Sequence, residues 1–126
     1  KQIDLNLLIN ILIGIIAAQH LYFFYFETFA WTTTGRKIFK HFPKEFFMQT
    51  KSMAANQGLY NAFLAAGLIW SLTIKDPVWS THIAVFFLGC VSLAGAFGAF
   101  TASRKILYIQ GLPAIITLIF ILIVQI

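Results

Sequence analysis

LNLLINILIGIIAAQHLYFFYFETFAW, residues 5–31, decides where this chain can live. Its acidic and basic side chains are Glu27 and His20. As an α-helix the segment measures about 40 Å at about 1.5 Å per residue, enough to cross a hydrocarbon core of roughly 30 Å. The apolar core of a cleavable signal peptide runs to only about 7–15 residues, so the segment reads as a permanent span rather than a targeting peptide. Three further apolar runs follow, over residues 53–74, 78–102 and 106–126. The third is diluted by Gly89, Ser92, Gly95 and Gly98, which membrane helices tolerate. The expected fold is all-α: an integral membrane four-helix bundle, with helices over about 5–31, 53–74, 78–102 and 106–126, forming one domain over 1–126.

Composition agrees. The chain is 60% hydrophobic and 10% charged, against about 25% charged residues in a soluble domain. A chain of 126 residues cannot hide that much apolar surface in its own core, so lipid must solvate part of it. The net charge of +5 does not signal nucleic acid, because the basic residues lie between apolar runs rather than along one polar face. Cys90 is the one cysteine. It permits no disulfide within the chain and no thiolate cluster, and reads as a small packing residue.

The basic residues also orient the chain. Arg36, Lys37, Lys40, Lys44 and Lys51 fall in the first loop and Arg104 and Lys105 in the third, leaving Lys1 and Lys75 for the other side. The positive-inside rule then places loops one and three in the cytoplasm and both termini outside. In the first loop, Ile38, Phe39, Phe42, Phe46 and Phe47 are interleaved with these cations. Spacings of three and four put several of the aromatics on one helical face. Such a basic-aromatic segment between helices 1 and 2 would lie in the headgroup region, and Pro43 would divide it into two short pieces. The expected partners are membrane lipids, with anionic headgroups at Arg36, Lys37, Lys40 and Lys44. The plainer reading is an ordinary basic loop with greasy anchors.

Polar groups inside the runs need a reason, because they are costly in lipid. His20 and Glu27 are seven apart, nearly on one face of the first helix. The second helix carries Asn56, Gln57, Tyr60 and Asn61 on an arc of roughly 140°. Opposite them lie Ala55, Gly58, Ala62, Ala65 and Ala66, in which Gly58, Ala62 and Ala66 form a small-residue ladder suited to close helix contact. Counted from the helix ends, Glu27, Asn56, Gln57 and Gln110 share a level near the cytoplasmic side, joined by Thr101 and Ser103 from helix three. Asn61 lies deeper, nearer His20, and the outer half reads as apolar. The expected ligand-binding set is Glu27, His20, Asn56, Gln57, Tyr60, Asn61 and Gln110, lining a polar pocket closed outward. The alternative is a structural network, since amides and hydroxyls also hold membrane helices together, and Tyr22, Tyr25, Trp31 and Tyr60 can serve as interface anchors. No metal site is expected, because His41 and His82 fall in or beside loops on opposite sides and cannot join His20 and Glu27. No cofactor is implied.

Two segments carry a resemblance: QHLYFFYFETFAWTTTGRKIF over residues 19–39 and KSMAANQGLYNAFLAAGLIWSL over residues 51–72. They resemble an uncharacterised bacterial membrane-protein family catalogued as domain of unknown function 1304. The matching positions are His20, Leu21, Tyr22, Glu27, Trp31, Thr32, Gly35, Arg36 and Lys37, and then the run from Ala54 to Asn61. Where that family usually has Glu, this chain has Gln19. The resemblance implies a small four-helix protein of the bacterial plasma membrane and no established reaction.

Three functions compete. A binder or transporter of a small molecule or ion would use Glu27 to exchange a proton for its substrate, and with four helices would need a homodimer. A membrane-embedded isomerase or epimerase acting on a lipid-like substrate would move a proton with Glu27 or His20, while Asn56, Gln57, Asn61 or Tyr60 polarised the substrate. A structural or assembly subunit would use the same polar groups only to join helices. The sequence does not choose between enzyme and non-enzyme.

Overall fold

A computed structural model describes residues 4–102 and 104–125. Lys1, Ser103 and Ile126 lie outside the described residues. Regular structure among the described residues is helical throughout: α1 Leu5–Phe29, α2 Thr34–Ile38, α3 Lys44–Gln49, α4 Lys51–Thr73, α5 Pro77–Thr101 and α6 Arg104–Gln125. The four long helices track the four apolar runs, each end shifted by two residues at most.

Three of them, α1, α5 and α6, are long and apolar enough to cross a membrane. The expected fourth span, α4, has 23 residues and the necessary length. Lys51, Ser52, Asn56, Gln57 and Asn61 dilute its first half, so composition does not mark it as a span. The outward side chains suit lipid rather than water. On α5, Leu93 is 72% exposed, Phe97 67% and Phe100 92%, and with Phe86 they follow one helical face. Water would penalise such a continuous apolar strip.

The chain forms two compact units, one of Lys1–Ala17 with Ala66–Ile126 and the other of Ala18–Ala65. In the first, Asp76 and Pro77 start α5. The Asp76 side chain accepts the Val78 N–H at 2.9 Å, and Pro77 occupies a first-turn position where a missing N–H costs nothing. Replacing Asp76 with alanine is expected to cost about 1 kcal/mol, seen as a lower melting temperature in detergent. The turn before α5 is tied across by Ser80, whose hydroxyl donates to the Ser71 carbonyl at 2.7 Å. Ser71 in turn donates to the Leu68 carbonyl, so a buried hydroxyl is satisfied within its own helix.

Helices α5 and α6 meet backbone to backbone. A Cβ on Gly95 would stand 2.5 Å from the Cα of Gly111, so the contact requires glycine. Gly111 closes a π-helical turn, Leu107–Gly111, within α6. Pro113 follows it and has no N–H for the carbonyl four residues back, a common setting for a locally widened helix.

In the second unit, the last turns of α1 and the first of α4 are joined by the 30–50 segment. Pro43 stands at the N-cap of α3 and separates it from α2, giving two short helices. Their aromatics divide between a buried and an exposed side. Phe47 is fully buried, and Phe39, Phe46 and Phe47 pack around Trp31, with Phe39 also meeting Phe26. The physical reason is a floor that the loop sequence alone does not reveal. Trp31 donates its indole N–H to Thr50 Oγ1 at 2.9 Å, and that hydroxyl donates to the Phe46 carbonyl at 2.7 Å, which draws α3 onto the indole. Gly35 lies on the same ring, where a Cβ would collide. Ile38 and Phe42 remain exposed, along with Arg36, Lys37, Lys40 and Lys44.

Candidate functional site

Helix α1 is buried along Ile9, Ile13, Ile16, Ala17 and His20, a stripe of three- and four-residue steps. Seven residues beyond His20 the stripe reaches Glu27, which is partly buried. His20 itself is fully buried, with Phe23 edge-on to its ring at 5.2 Å.

Helix α4 meets this end of α1 at very close range. Thr28 donates its hydroxyl to the Ala55 carbonyl at 3.2 Å. One turn along, Gly58 faces α1 directly: a Cβ there would collide with the Thr28 hydroxyl and come within 3.1 Å of both the Thr28 backbone nitrogen and the Glu27 Cβ. Close approach of the two backbones brings the next inward residue of α4 onto the carboxyl group. Asn61 Nδ2 donates to Glu27 Oε1 at 2.6 Å. Asn61 is 5% exposed, so its amide is committed to this contact rather than to solvent.

Three of the expected site residues on α4 do not share the buried position of Asn61. Asn56, Gln57 and Tyr60 are exposed on α4, and Asn56 donates to the Tyr60 hydroxyl at 3.3 Å. The polar arc read from the sequence is therefore split. Asn61 turns inward with Ala54, Gly58 and Ala65, while Asn56, Gln57 and Tyr60 turn outward. The small face is also redrawn, since Ala66 is exposed and Ala62 half-buried. Gln110 is half-buried in the π-helical turn and belongs to the other compact unit. Thr101 donates to the carbonyl of Phe97 within its own helix.

Glu27 and Asn61 line neither of two concavities formed by the described residues. One, of about 550 Å³, is bounded by Thr32, Thr33, Arg36, Lys37, Lys40, Phe42 and Lys44. The other, of about 460 Å³, has an apolar floor that includes Ile9, Ile13, Ala84 and Ile121. Its polar rim is Asn6, Asn10, Ser80, Thr81, His82 and Gln125. The sequence reading takes the outer half as apolar and misses this rim. The signal was present as Asn6 and Asn10, one turn apart inside the first run, but each is outweighed by its neighbours in a long hydropathy window. Among the described residues no three His, Cys, Asp or Glu side chains gather into a set able to hold a metal ion.

Chemically, the site is a carboxyl group that accepts from the Asn61 amide, with an imidazole two helical turns away on the same stripe. It can accept a hydrogen bond or a cation at Oε1 if the Asn61 amide yields its place.

Comparison with known proteins supports the kinship. An uncharacterised protein of Lactococcus lactis subsp. lactis (strain IL1403), YpaA, is 29% identical over 117 residues, covering 91% of this chain and 97% of its own length. No solved structure matches the chain. The family model described as "Protein of unknown function (DUF1304)" matches residues 14–122, a span that contains His20, Glu27, the basic loop, Asn61 and Gln110. The chain therefore belongs to the DUF1304 family.

Proposed function

We propose that this is a multi-pass protein of the bacterial plasma membrane, a four-helix bundle forming one domain, that binds and transports a small cation or polar molecule at Glu27. The observation that carries the reading is the hydrogen bond from Asn61 to Glu27 at 2.6 Å. A carboxyl group within a candidate span is costly in lipid and marks function by default when it faces the protein interior. Helix α4 is taken as the fourth span. It is about 34 Å long at about 1.5 Å per residue, and it turns its most deeply placed amide toward a partner rather than toward lipid. Both termini lie outside, because the first and third loops hold seven of the nine lysines and arginines.

In this reading Asn61 occupies the carboxyl group while the site is empty. A cation entering from the cytoplasm displaces the amide, and the Glu27 proton leaves to the cytoplasm. With the carboxyl group open to the outside, a proton taken up there displaces the cation, which is released outside. Four helices enclose little space, so two copies complete the pathway. The test is substrate-driven proton movement in liposomes containing the purified protein, comparing wild type with Glu27→Gln. Equal fluxes would end the transport reading.

A second reading has its own observation. The Thr28–Ala55 and Asn61–Glu27 bonds flank Gly58, as a purely structural clasp between α1 and α4 would. That reading gives a structural or assembly subunit with no flux.

Orientation has a separate check. In a Cys90→Ser background, Lys75→Cys is expected to react with an impermeant maleimide in intact cells and Lys40→Cys to stay unlabelled. The reverse pattern would invert the topology. Lys75 is preferable to its neighbour for this purpose because Asp76 caps α5.

A further inference from the structure

The aromatic platform built on Trp31 holds four cations around one hollow. Arg36 and Lys37 come from α2, Lys40 from the turn and Lys44 from the start of α3. Thr32 adds a hydroxyl group, the Thr33 hydroxyl donates to the Ala30 carbonyl at 3.3 Å, and Phe42 forms an apolar wall. No carboxylate is among the described residues that line it, and Glu45, next to Lys44, stays outside the lining. We infer that this hollow is a binding site for the phosphate of a net-anionic membrane phospholipid.

The argument begins with electrostatics. Four like charges facing one space repel, and the platform limits how far they can spread. Gly35 is pinned on the Trp31 ring, Phe47 is buried beneath, and Pro43 fixes the turn between the short helices. An anion in the hollow relieves the repulsion, and a phosphate offers several acceptor oxygens to guanidinium, ammonium and hydroxyl donors together. The volume, about 550 Å³, is in the range of small-ligand sites, roughly 300–1,000 Å³. A lipid is favoured over a soluble phosphate by the surroundings. Exposed Ile38 and Phe42 give the segment an apolar surface for the bilayer interface, with the cations at headgroup level. The inference goes beyond the proposed role of Glu27 and does not depend on it.

The test places the full-length protein in nanodiscs of phosphatidylcholine alone, or with about one lipid in ten replaced by phosphatidic acid or phosphatidylglycerol, a load that leaves the surface only moderately anionic. Lipid retained after gentle release is counted by native mass spectrometry. One phosphatidic acid per chain is expected, with phosphatidylglycerol held more weakly and phosphatidylcholine not retained. Arg36→Gln with Lys40→Gln should weaken retention about thirtyfold, on the scale of cations near a membrane surface, with the melting temperature unchanged because both side chains are exposed. Lys51→Gln with Arg104→Gln removes the same charge outside the hollow, on the side that holds it in the proposed topology, and should weaken retention about threefold or less, since screening confines long-range effects. Equal losses from the two pairs would mean diffuse surface charge and overturn the site. Displacement of the lipid by inorganic phosphate at matching concentration would make the ligand a soluble anion and overturn the lipid assignment. Equal retention of phosphatidylcholine would overturn it as well.

Discussion

Gly58→Leu is expected to lower the melting temperature of the detergent-solubilised protein more than any exposed substitution on α4. The added Cβ alone meets the Thr28 hydroxyl, the Thr28 backbone nitrogen and the Glu27 Cβ. The hydroxyl can rotate away, but only by giving up its bond to the Ala55 carbonyl. The backbone cannot rotate away, so α1 and α4 must separate. Two effects oppose each other. Leaving glycine improves helix propensity by up to about 1 kcal/mol. Overpacking a close contact costs typically about 1–3 kcal/mol, and a branched four-carbon side chain lies at or above the top of that range. The loss wins, with Gly58→Ala milder than Gly58→Leu. Thr28→Ala removes the nearest obstructing atom and should partly rescue Gly58→Ala, a non-additivity that a double-mutant cycle reads directly. An unchanged melting temperature for Gly58→Leu would mean that the two helices do not meet there.

That contact was half legible in the sequence. Gly58 announced itself as part of a small-residue run, and the level of Glu27 against the start of α4 followed from counting turns. The direction of Asn61 does not follow, because its polarity places it with Asn56, Gln57 and Tyr60 in one arc. On an ideal helix Asn61 lies about 60° from Gly58 and about 40° from Ala65, but about 140° from Asn56. Asn61 is also about 40° from Gln57, so its angular place is the border between the polar arc and the packing face, which grouping by polarity hides. The structure follows the angle: Asn61 is 5% exposed and Tyr60 54%.

The first loop shows a different limit. Its three- and four-residue aromatic spacing is compatible with either a lipid-facing or an inward face, and local sequence cannot choose. The choice is made by Trp31 and Phe26, which lie up to 21 residues before Phe47 and supply the surface on which it is buried. The Asn6–Asn10 rim is missed for a related reason, since it is assembled from three helices far apart in sequence. Spans are legible because length and hydropathy are local properties. Facing is not, because it depends on which partner arrives.

The contrast between Glu27→Gln and Asn61→Leu separates chemistry from scaffolding at the inner site. Glutamine has the shape of glutamate and keeps a carbonyl oxygen able to accept from Asn61 Nδ2, so the link between α1 and α4 survives and the protein should melt within about 1 kcal/mol of wild type. What glutamine cannot do is exchange a proton or neutralise a cation, so substrate-driven proton flux should fall at least a hundredfold, a drop of about 2.7 kcal/mol or more at about 1.4 kcal/mol per tenfold. Asn61→Leu acts in the other direction. It leaves a partly buried carboxyl group without its donor and should destabilise the fold by about 1–3 kcal/mol, while the carboxyl group remains to carry some flux. A structural clasp predicts a different pair of results: Glu27→Gln silent in every assay, and Asn61→Leu impaired only in stability or in retention of a partner. If Glu27→Gln melts with a large loss of stability, the carboxyl charge itself holds the helices and flux cannot be interpreted from that variant. Glu27→Asp then decides, because it keeps the acid and shortens the reach by one methylene. Partial flux from a folded Glu27→Asp protein would assign the chemistry to the carboxyl group, and a folded but inactive one would show that its position against Asn61 is what matters.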